Sequence, residues 1–430
     1  MNLLLLGSGG RENTLAWRIS QSPKIKKLFI APGNAGTSSF GLNVNININD
    51  FTEIKSLCLE KDIDMIVVGP EDPLVNGITD YILNNEETRH IAVVGPQKKA
   101  ALLEGSKDFA KQFMEKNKIP TASYKSFNKN TYNDALSFIK SLKPPYVLKA
   151  DGLAAGKGVI ICSSFQQAQQ ELYQMLFNSK FGDAGNCVVI EEFLSGIEVS
   201  IFIATDGLSY KILPHAKDYK KIGENDKGPN TGGMGAVAPV PFVDEKLMER
   251  IINAIIEPTI SGLKNENINY QGFIFIGLMI VEDLPYVIEY NVRLGDPETE
   301  VIIPLIKTDI IDIFQAICNK TLNILNLEFE TLCASTVILA SGGYPGDYEK
   351  GKSIEFSDKI NKDCLVFHAG TKSDPNGQLV TNGGRVMAVT CLDNDLRTSL
   401  KKCYDNIEKI KFTGMYFRKD IGEDMLKFTK

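Results

Sequence analysis

Short apolar runs alternate with amphipathic helical segments over the first 105 residues, and this alternation narrows the choice of folds more than any other feature. The runs are "NLLLL", "LFI", "DMIVV" and "IAVV", and the segments between them include "RENTLAWRIS" and "FTEIKSLCLEKD". Strands that are joined through helices lie parallel in one sheet, with the helices on its faces. Residues 1–105 are therefore predicted to form an open parallel α/β sheet.

Each predicted strand ends in a turn that is rich in glycine or proline. The turns are "GSGGRE" (7–12), "APGNAGT" (31–37), "GPEDPLVNG" (69–77) and "GPQ" (95–97). Ligands of open α/β sheets bind beyond the carboxyl ends of the strands, so these turns are expected to share one site. A dinucleotide fingerprint would need glycine at position 12, where the chain has Glu12. Gly9, Gly10 and Arg11 instead suggest a site for a smaller anion at a helix N-terminus.

The stretch "YVLKADGLAAGKGVI" (146–160) looks like a phosphate-binding P-loop but departs from it in two ways. Only three residues separate Gly152 from Gly156, and Gly158 stands where a P-loop needs a hydroxyl. The β-branched run after Lys157 has the character of a strand, so the loop is predicted to join two strands as a hairpin. Such a hairpin either covers phosphates with its backbone N–H groups or is simply a tight turn. Lys149 and Lys157, which flank the glycines, favour phosphate binding.

Composition excludes several classes of function. A formal net charge of −6 without basic runs argues against general nucleic-acid binding, and no apolar run is long enough to cross a membrane. Eight cysteines without a C-x-x-C pair are interpreted as reduced, buried side chains, and three dispersed histidines argue against a zinc site or a histidine triad. A cytoplasmic protein is expected, with no nucleic-acid or membrane partner.

Three further stretches contain candidate binding or catalytic residues. In "YVIEYNVRLGDPETE" (286–300), strand alternation places Glu289 and Asn291 on one face, which suits magnesium, and Arg293 continues that face. A solvated strand face is the alternative.

The long polar stretch "HAKDYKKIGENDKGPNTGGMGA" (215–236) favours a mobile lid over simple disorder. The strand end "VVIEEFLSG" suits adenine and ribose recognition or, equally, a hairpin with exposed acids.

Together these stretches resemble the ATP-grasp superfamily and, more closely, the glycinamide ribonucleotide synthetase family. The resemblance runs from "GSGGRE" and "APGNAGT" through "KADGLAAGKGV", "GPNTGGMGA" and "RLGDPET" to "GGYPGDY", "FHAGT" and "TNGGRV", and it covers nearly the whole chain. It implies an α/β and α+β multidomain chain. The expected domains are an N-terminal pre-ATP-grasp sheet (1–105), a central ATP-grasp domain (106–325) with a glycine-rich hairpin lid at about 122–192, and a small mixed α/β C-terminal domain (326–430).

The resemblance also implies a reaction. Glycine and 5-phosphoribosylamine would condense, with ATP cleaved to ADP and phosphate through a glycyl phosphate. Magnesium or manganese would be held by Glu289 and Asn291. Arg293, Asp296 and Asp218 are the candidate catalytic residues, with Asp218 as a guess for the proton acceptor. The implied ATP-binding residues are Lys107, Lys149, Gly152, Gly156, Lys157, Gly158, Glu191, Glu192, Phe193, Leu194 and Glu198. The implied substrate-binding residues are Gly9, Gly10, Arg11, Gly33, Asn34, Gly36, Glu71, Pro73, Lys220, Asn230, Thr231, Gly232, Gly233, Met234, Gly235, Gly295, Pro297 and Glu298.

The chain departs from the family pattern at Asn13, Lys217, Tyr219 and Leu294, which puts a role for histidine beside the substrate in doubt. Three other readings stay open: a carboxylating ATP-grasp enzyme such as a biotin carboxylase, an NAD-dependent oxidoreductase, and a nucleotide-binding regulatory protein without turnover. A monomer or weak oligomer is expected.

Overall fold

The computed structural model describes residues 1–154, 158–178 and 180–429. Its first part is an open parallel sheet with strand order β3-β2-β1-β4-β5, as the alternation predicts. The strands are Asn2–Gly7 (β1), Lys27–Pro32 (β2), Leu42–Asn43 (β3), Met65–Val68 (β4) and Ala92–Val94 (β5). The helices are Gly10–Ile19 (α1), Phe51–Glu60 (α2), Glu71–Asn76 (α3), Ile78–Asn84 (α4), Lys98–Gly105 (α5) and Lys107–Lys116 (α6).

The central strand β1 is buried on both faces because its four consecutive leucines alternate between two cores. Leu4 and Leu6 pack with Ile54 of α2, whereas Leu3 and Leu5 pack with Leu15 of α1. A strand with helices on both sides needs such an uninterrupted apolar run. The carboxyl ends of the strands consequently meet at one edge of the sheet, where the glycine-rich turns follow.

A four-stranded antiparallel sheet, ordered β6-β9-β7-β8, forms the next unit with two helices packed on it. Its elements are Tyr124–Asn128 (β6), Tyr132–Ser141 (α7), Tyr146–Ala150 (β7), Val159–Cys162 (β8), Phe165–Phe177 (α8) and Cys187–Glu192 (β9). Leu148 is opposite Ile160, so the glycine-rich stretch does connect the two strands of a hairpin. The hairpin prediction is confirmed. Gly156 and Lys157, at its centre, lie outside the described residues.

A second antiparallel sheet has the order β11-β10-β16-β17. The elements of this region are Ile197–Thr205 (β10), Tyr210–Ile212 (β11), Lys217–Asp218 (β12), Lys221–Gly223 (β13), Lys227–Asn230 (β14), Gly235–Ala238 (β15), Glu245–Ile251 (α9), Glu257–Asn265 (α10), Gly272–Val281 (β16), Leu284–Asn291 (β17), Thr299–Ile302 (α11) and Ile310–Asn319 (α12). Helix α12 returns to the N-terminal sheet, where Ile310 and Phe314 pack in the same core as Leu3.

The last sheet crosses the expected boundary near residue 326. Strands β12 and β15 join it, in the order β12-β15-β18-β23-β20, and β25 pairs with β18. The remaining elements are Cys333–Ser341 (β18), Glu355–Phe356 (β19), Cys364–His368 (β20), Thr371–Ser373 (β21), Leu379–Thr381 (β22), Arg385–Asp393 (β23), Leu396–Ile407 (α13), Ile410–Lys411 (β24) and Met415–Tyr416 (β25). Strand β18 thereby pairs with β15, the strand into which the long polar stretch runs.

The expectation that all cysteines are reduced is wrong for two of them. Cys364 of β20 and Cys391 of β23 are direct cross-strand partners, with Cα atoms 4.3 Å apart, and they form a disulfide. They are 27 residues apart in sequence, so only the register of the antiparallel pair brings them together. A spacing rule such as C-x-x-C cannot detect a pair of this kind.

No helix in the described part of the chain is long and apolar enough to span a bilayer.

Candidate active site

A β-bulge in β17 decides which of its side chains face the site. Gly277 of β16 is opposite Glu289, but its neighbour Leu278 is opposite Val287, which leaves Ile288 without a partner in the ladder. Cross-strand partners point to the same face, so Val287 and Glu289 lie on opposite faces although they are only two positions apart. Val287 is buried in the core. Glu289 and Asn291 share the other face, as strand alternation predicts.

The donor set on this face fits a hard cation. Asn291 is 8% exposed, and its Nδ2 has no hydrogen-bond partner among the described residues. An N–H donor does not bind a cation, so the fit depends on the Glu289 carboxylate and the Asn291 amide oxygen. The described residues contain no group of three or more His, Cys, Asp or Glu side chains that could hold a metal ion. One carboxylate and one amide oxygen suit an ion that completes its shell with phosphate and water oxygens.

Arg293, just beyond β17, is bound by two carboxylates from the N-terminal part. Its Nη2 is 2.6 Å from Glu104 Oε1 and its Nε is 3.2 Å from Glu71 Oε2. Glu104 also accepts the Val292 N–H at 2.7 Å. Burial alone would raise the pKa of Glu71, but the guanidinium groups of Arg293 and Arg11 outweigh it and hold that pKa at about 2. Burial raises the pKa of Glu104 to about 7 despite Arg293. Two predicted site residues, Glu71 and Arg293, are thus in direct contact.

Lys220 joins two further predicted residues. Its Nζ is 2.7 Å from Glu198 Oε2 and 3.8 Å from Asp218 Oδ1. Burial raises the pKa of the Asp218 carboxyl, and the ammonium of Lys220 opposes the rise. Thr231 fixes the backbone here, since its N–H and its hydroxyl both donate to the Lys220 carbonyl. The polar stretch predicted to be a lid therefore carries an ordered ionic group.

The segment 295–298 is built around a buried acid. Glu298 is 2% exposed and accepts the Ser200 hydroxyl at 3.1 Å. A Cβ at position 295 would lie 2.3 Å from Glu298 Oε2, so Gly295 provides the space for this carboxyl. Burial, with the nearby charge of Asp218, raises the pKa of Glu298 to about 7. Glu298 is consequently held by the protein behind the site.

Arg385 of β23 connects Asp296 to the glycine-rich segment. Its Nη1 is 2.9 Å from Asp296 Oδ1 and donates to the carbonyls of Asp296 and Gly232. A Cβ at Gly233, where φ is +111°, would lie 2.3 Å from Pro297 Cδ. Segments 230–235 and 295–298 therefore lie against each other. Within segment 230–235, Asn230 ends β14, Gly235 begins β15, and the Met234 side chain is buried.

The N-terminal turns gather at the expected edge, but the N-terminus of α1 already has anionic partners. Gly9 donates its N–H to Glu12 Oε2 at 2.6 Å, and Arg11 donates its N–H to Asp296 Oδ2 at 3.3 Å. The smaller anion expected beside Gly9, Gly10 and Arg11 would have to compete with these carboxylates. Glu12, which excluded a dinucleotide fingerprint, thus caps the helix itself.

Asn34 ties the second turn to its surroundings. Its Oδ1 accepts the N–H groups of Gly36 and Thr37, and its Nδ2 donates to the carbonyls of Ser8 and His368. Gly33, at φ +72°, and Gly36 leave no room for a side chain. In the third turn, Pro73 is buried within α3, which begins at Glu71. These predicted residues build the wall of the site.

At the other end of the site, two lysines flank one buried carboxylate. Lys149 Nζ is 2.9 Å from Glu191 Oε1, and Lys111 Nζ is 3.2 Å from Glu191 Oε2. Lys149 also donates to the carbonyl of Ile288, the bulged residue. Both oxygens of Glu191 are therefore ion-paired with lysines. Burial lowers the pKa of Lys111 to about 8, and Glu191 opposes this.

The predicted nucleotide-binding bend lies next to this group. Glu192 accepts the Ser123 N–H at 2.8 Å, and Phe193 is exposed. Leu194, half-buried, belongs to the link between β9 and β10. Lys107 donates to the carbonyl of Gly152 at 2.9 Å, which connects α6 to the start of the glycine-rich loop. Gly158, at its other end, lies directly before β8.

Sequence reasoning missed Glu104, Lys111 and Arg385. Lys111 follows Lys107 by four residues, which places both on one face of α6, so a helical-spacing test could have found it. Glu104 and Arg385 carry no local signal, because their partners are 189 and 89 residues away.

Glu300 provides a test of the electrostatics of this region. Its carboxyl is fully buried, neither oxygen has a hydrogen-bond partner among the described residues, and burial raises its pKa well above the usual value. A raised folded-state pKa means that stability is lost as pH rises above the unfolded-state pKa. We expect Glu300→Gln to stabilise the fold, and to do so more at about pH 7.5 than at about pH 5.5. Urea unfolding at both pH values measures this, with exposed Glu249→Gln as control. A gain independent of pH would contradict it.

With this geometry in place, the chain can be compared with known proteins. It matches the phosphoribosylglycinamide synthetase family in three parts: the N domain over residues 1–104, the ATP-grasp (A) domain over 105–299 and the C domain over 334–424. At the level of fold alone, it is similar to the biotin carboxylase domain of Hydrogenobacter thermophilus 2-oxoglutarate carboxylase, solved with MgADP. That similarity has a TM-score of 0.74 and 16% identity, and it covers 100% of this chain and 94% of the other.

Two full-length relatives are much more similar. The phosphoribosylamine–glycine ligase of Caldanaerobacter subterraneus subsp. tengcongensis is 44% identical over 98% of this chain and 99% of its own length. A crystal structure of phosphoribosylamine–glycine ligase from Thermotoga maritima has a TM-score of 0.84 and 35% identity, and covers 98% of this chain and 100% of that one. The chain therefore belongs to the phosphoribosylglycinamide synthetase family, whose three domains it contains in order.

Proposed function

We propose that the chain joins glycine to 5-phosphoribosylamine, with cleavage of ATP to ADP and phosphate, and so forms N1-(5-phosphoribosyl)glycinamide in purine biosynthesis. The observation that carries the proposal is the position of Glu289. Its charge acts on Lys107, Asp218, Lys220 and Arg293, which belong to different segments of the chain. Burial is the largest influence on the pKa of each of the four. This supports a single site, because the proposed phosphate and acceptor groups all lie within range of the Glu289 charge.

ATP is proposed to lie between the Lys149–Glu191 group and Glu289. Lys107, Lys149 and the loop from Gly152 to Gly158 would bind the phosphates, and residues 191–194 would bind adenine, with Glu198 at the ribose. Glu289 and Asn291 would hold Mg²⁺, or alternatively Mn²⁺. When bound, such an ion supplies positive charge that neutralises phosphate oxygens.

The reaction would need no nucleophile from the protein. A glycine carboxylate oxygen attacks the γ-phosphorus and ADP leaves, which gives glycyl phosphate. The amine of 5-phosphoribosylamine then attacks the acyl carbon, phosphate leaves, and the amine loses a proton. Asp218 is our candidate for the acceptor of this proton, because burial raises its pKa and thereby its basicity. Arg293 and Asp296 would orient the acceptor, since positioning and charge neutralisation dominate such chemistry.

We further propose that the enzyme is a cytoplasmic monomer or weak oligomer, because its substrates are small soluble metabolites. The three-domain division at about residues 105 and 325 is likewise proposed.

ADP release by the purified protein tests the function. The reaction contains ATP, Mg²⁺ and freshly generated 5-phosphoribosylamine, with glycine present or absent. We expect release that requires both co-substrates, together with a glycine-containing ribonucleotide product. Release that responds to bicarbonate and not to glycine would overturn the proposal and support a carboxylating ATP-grasp enzyme. Affinity for NAD without ADP release would support an oxidoreductase.

A further inference from the structure

The segment from Lys217 to Asn230 carries Asp218 and Lys220 but has little structure of its own. Strand β12 has only two residues, and β13 with β14 forms an isolated two-stranded ribbon whose residues are exposed or half-buried. A ribbon of this kind is marginally stable alone. Strand β12 is held by its pairing with β15, but the ribbon needs other contacts to hold it.

Three residues near the C-terminus, Arg418, Asp420 and Asp424, contact it directly, and we call them the C-terminal clasp. Arg418 is 1% exposed and makes two bonds to Asp420, from Nε at 2.8 Å and from Nη2 at 2.7 Å. Its Nη1 donates to Asp226 Oδ1 at 2.8 Å and to the Lys221 carbonyl at 3.1 Å. Asp420 thus accepts hydrogen bonds from two of the guanidinium nitrogens, and the ribbon accepts those from the third.

The clasp also fixes the turn between the two ribbon strands. Asn225 and Asp226 both have left-handed backbones, with φ of 53° and 52°. Asparagine and aspartate adopt this conformation more readily than other non-glycine residues, and contacts from the clasp add to that local preference. Asp420 Oδ2 accepts the Asn225 N–H at 2.7 Å, and Arg418 binds the Asp226 side chain.

Asp424 holds the residues on both sides of Asp218. Its Oδ1 accepts the Tyr219 hydroxyl at 2.5 Å, and its Oδ2 is 3.1 Å from Lys217 Nζ. The Lys217 ammonium lies 3.8 Å from the centre of the Tyr219 ring, and the Arg418 guanidinium lies 5.3 Å from it. Lys217 and Tyr219, two positions that depart from the family pattern, are therefore linked to each other and to the clasp.

We propose that the C-terminal clasp is a positioning device for the acceptor side of the site. It holds Lys217–Asn230 so that Lys220 stays bound to both Asp218 and Glu198, while Lys149 and Glu191 on the nucleotide side are held by contacts of their own. The role of these two residues rests on the proposed function. Arg418, Asp420 and Asp424 act through the segment that they hold.

Steady-state kinetics of two variants tests the proposal. Arg418→Gln removes the charge and the fork of donors, and Asp424→Asn weakens the Lys217 contact at a position that is 41% exposed, where the fold can tolerate it. We expect kcat/KM for glycine and for 5-phosphoribosylamine to fall on the order of 10²-fold in Arg418→Gln and about tenfold in Asp424→Asn. The KM for ATP should change by a smaller factor, because Glu198 is the one proposed ATP-binding residue that contacts the held segment among the contacts described here. Lys419→Gln, next to Arg418 but exposed, should behave as wild type.

Hydrogen exchange gives a readout that does not depend on turnover. We expect the amides of Tyr219, Asn225 and Thr231 to exchange faster in both variants, while those of β9 keep their protection. Unchanged exchange in 217–230, or equal losses for ATP and the two acceptor substrates, would overturn the clasp. If wild type shows no glycine-dependent ADP release but the exchange result is obtained, the proposed function fails and the clasp stands as a device for a different acceptor.

Discussion

Glu289→Gln should lower kcat by about 10³-fold and leave the fold intact. The amide keeps the size of the side chain but removes the charge that we assign to the divalent ion. That charge also acts on Lys107 and Lys220. The core side of β17 does not change, because Val287 and Tyr290 are buried on the opposite face. Steady-state rates over a range of Mg²⁺ concentrations, with thermal unfolding alongside, provide the measurement.

A matched control for this variant is Glu282→Gln. Glu282 is exposed in the turn before β17, so its replacement removes one negative charge from the same hairpin without touching the site. We expect wild-type kcat and wild-type metal dependence. Near-normal turnover of Glu289→Gln at the Mg²⁺ concentration that half-saturates wild type would exclude Glu289 as a metal ligand.

Arg293→Met should destabilise the fold strongly, with a loss of about 3–5 kcal/mol in the free energy of unfolding. The substitution leaves Glu71 and Glu104 without their shared partner, and Glu104 is almost fully buried. Both carboxyls should then have raised pKa values. The loss should therefore be larger at about pH 8, where they must ionise, than at about pH 5. Urea unfolding across this range measures it.

The double variant Arg293→Met/Glu104→Gln separates structure from catalysis. Removing the orphaned carboxylate should recover much of the stability, because a neutral amide costs less to bury than an unpaired charge. If Arg293 also orients substrate, kcat/KM should stay at least about 10²-fold below that of Glu104→Gln alone. Full recovery of kcat/KM along with stability would assign Arg293 a structural role only.

Local sequence patterns predicted much of the fold. The parallel sheet of residues 1–105 follows from apolar runs that alternate with helices, and the hairpin at Tyr146–Cys162 follows from glycines between two β-branched runs. These features were predictable because a strand or a hairpin is determined by residues within about ten positions of one another. The same reasoning proposed Glu289 and Asn291 as neighbours on one face.

Distant contacts were not predictable in this way. Glu104 meets Arg293 and Arg385 meets Asp296 through tertiary packing, and Cys364 meets Cys391 through the register of β20 and β23. The composition did not indicate that any of the cysteines pair. The residues next to Glu104 in the sequence did not indicate that it binds a guanidinium group. The N-terminus of α1 was expected to bind an external anion, yet Glu12 and Asp296 accept the Gly9 and Arg11 N–H groups there.

The sequence by itself determined the elements, the glycine positions and the chemical character of the site, because backbone geometry and side-chain chemistry are properties of short segments. Tertiary structure alone decided which charges meet. A bulge at Ile288 turns Glu289 away from the core, and Lys149 reaches the carbonyl of that bulged residue. The C-terminal clasp holds a segment about 200 residues earlier in the chain. Electrostatic attraction acts through space, so its outcome depends on the packed arrangement and not on separation along the sequence.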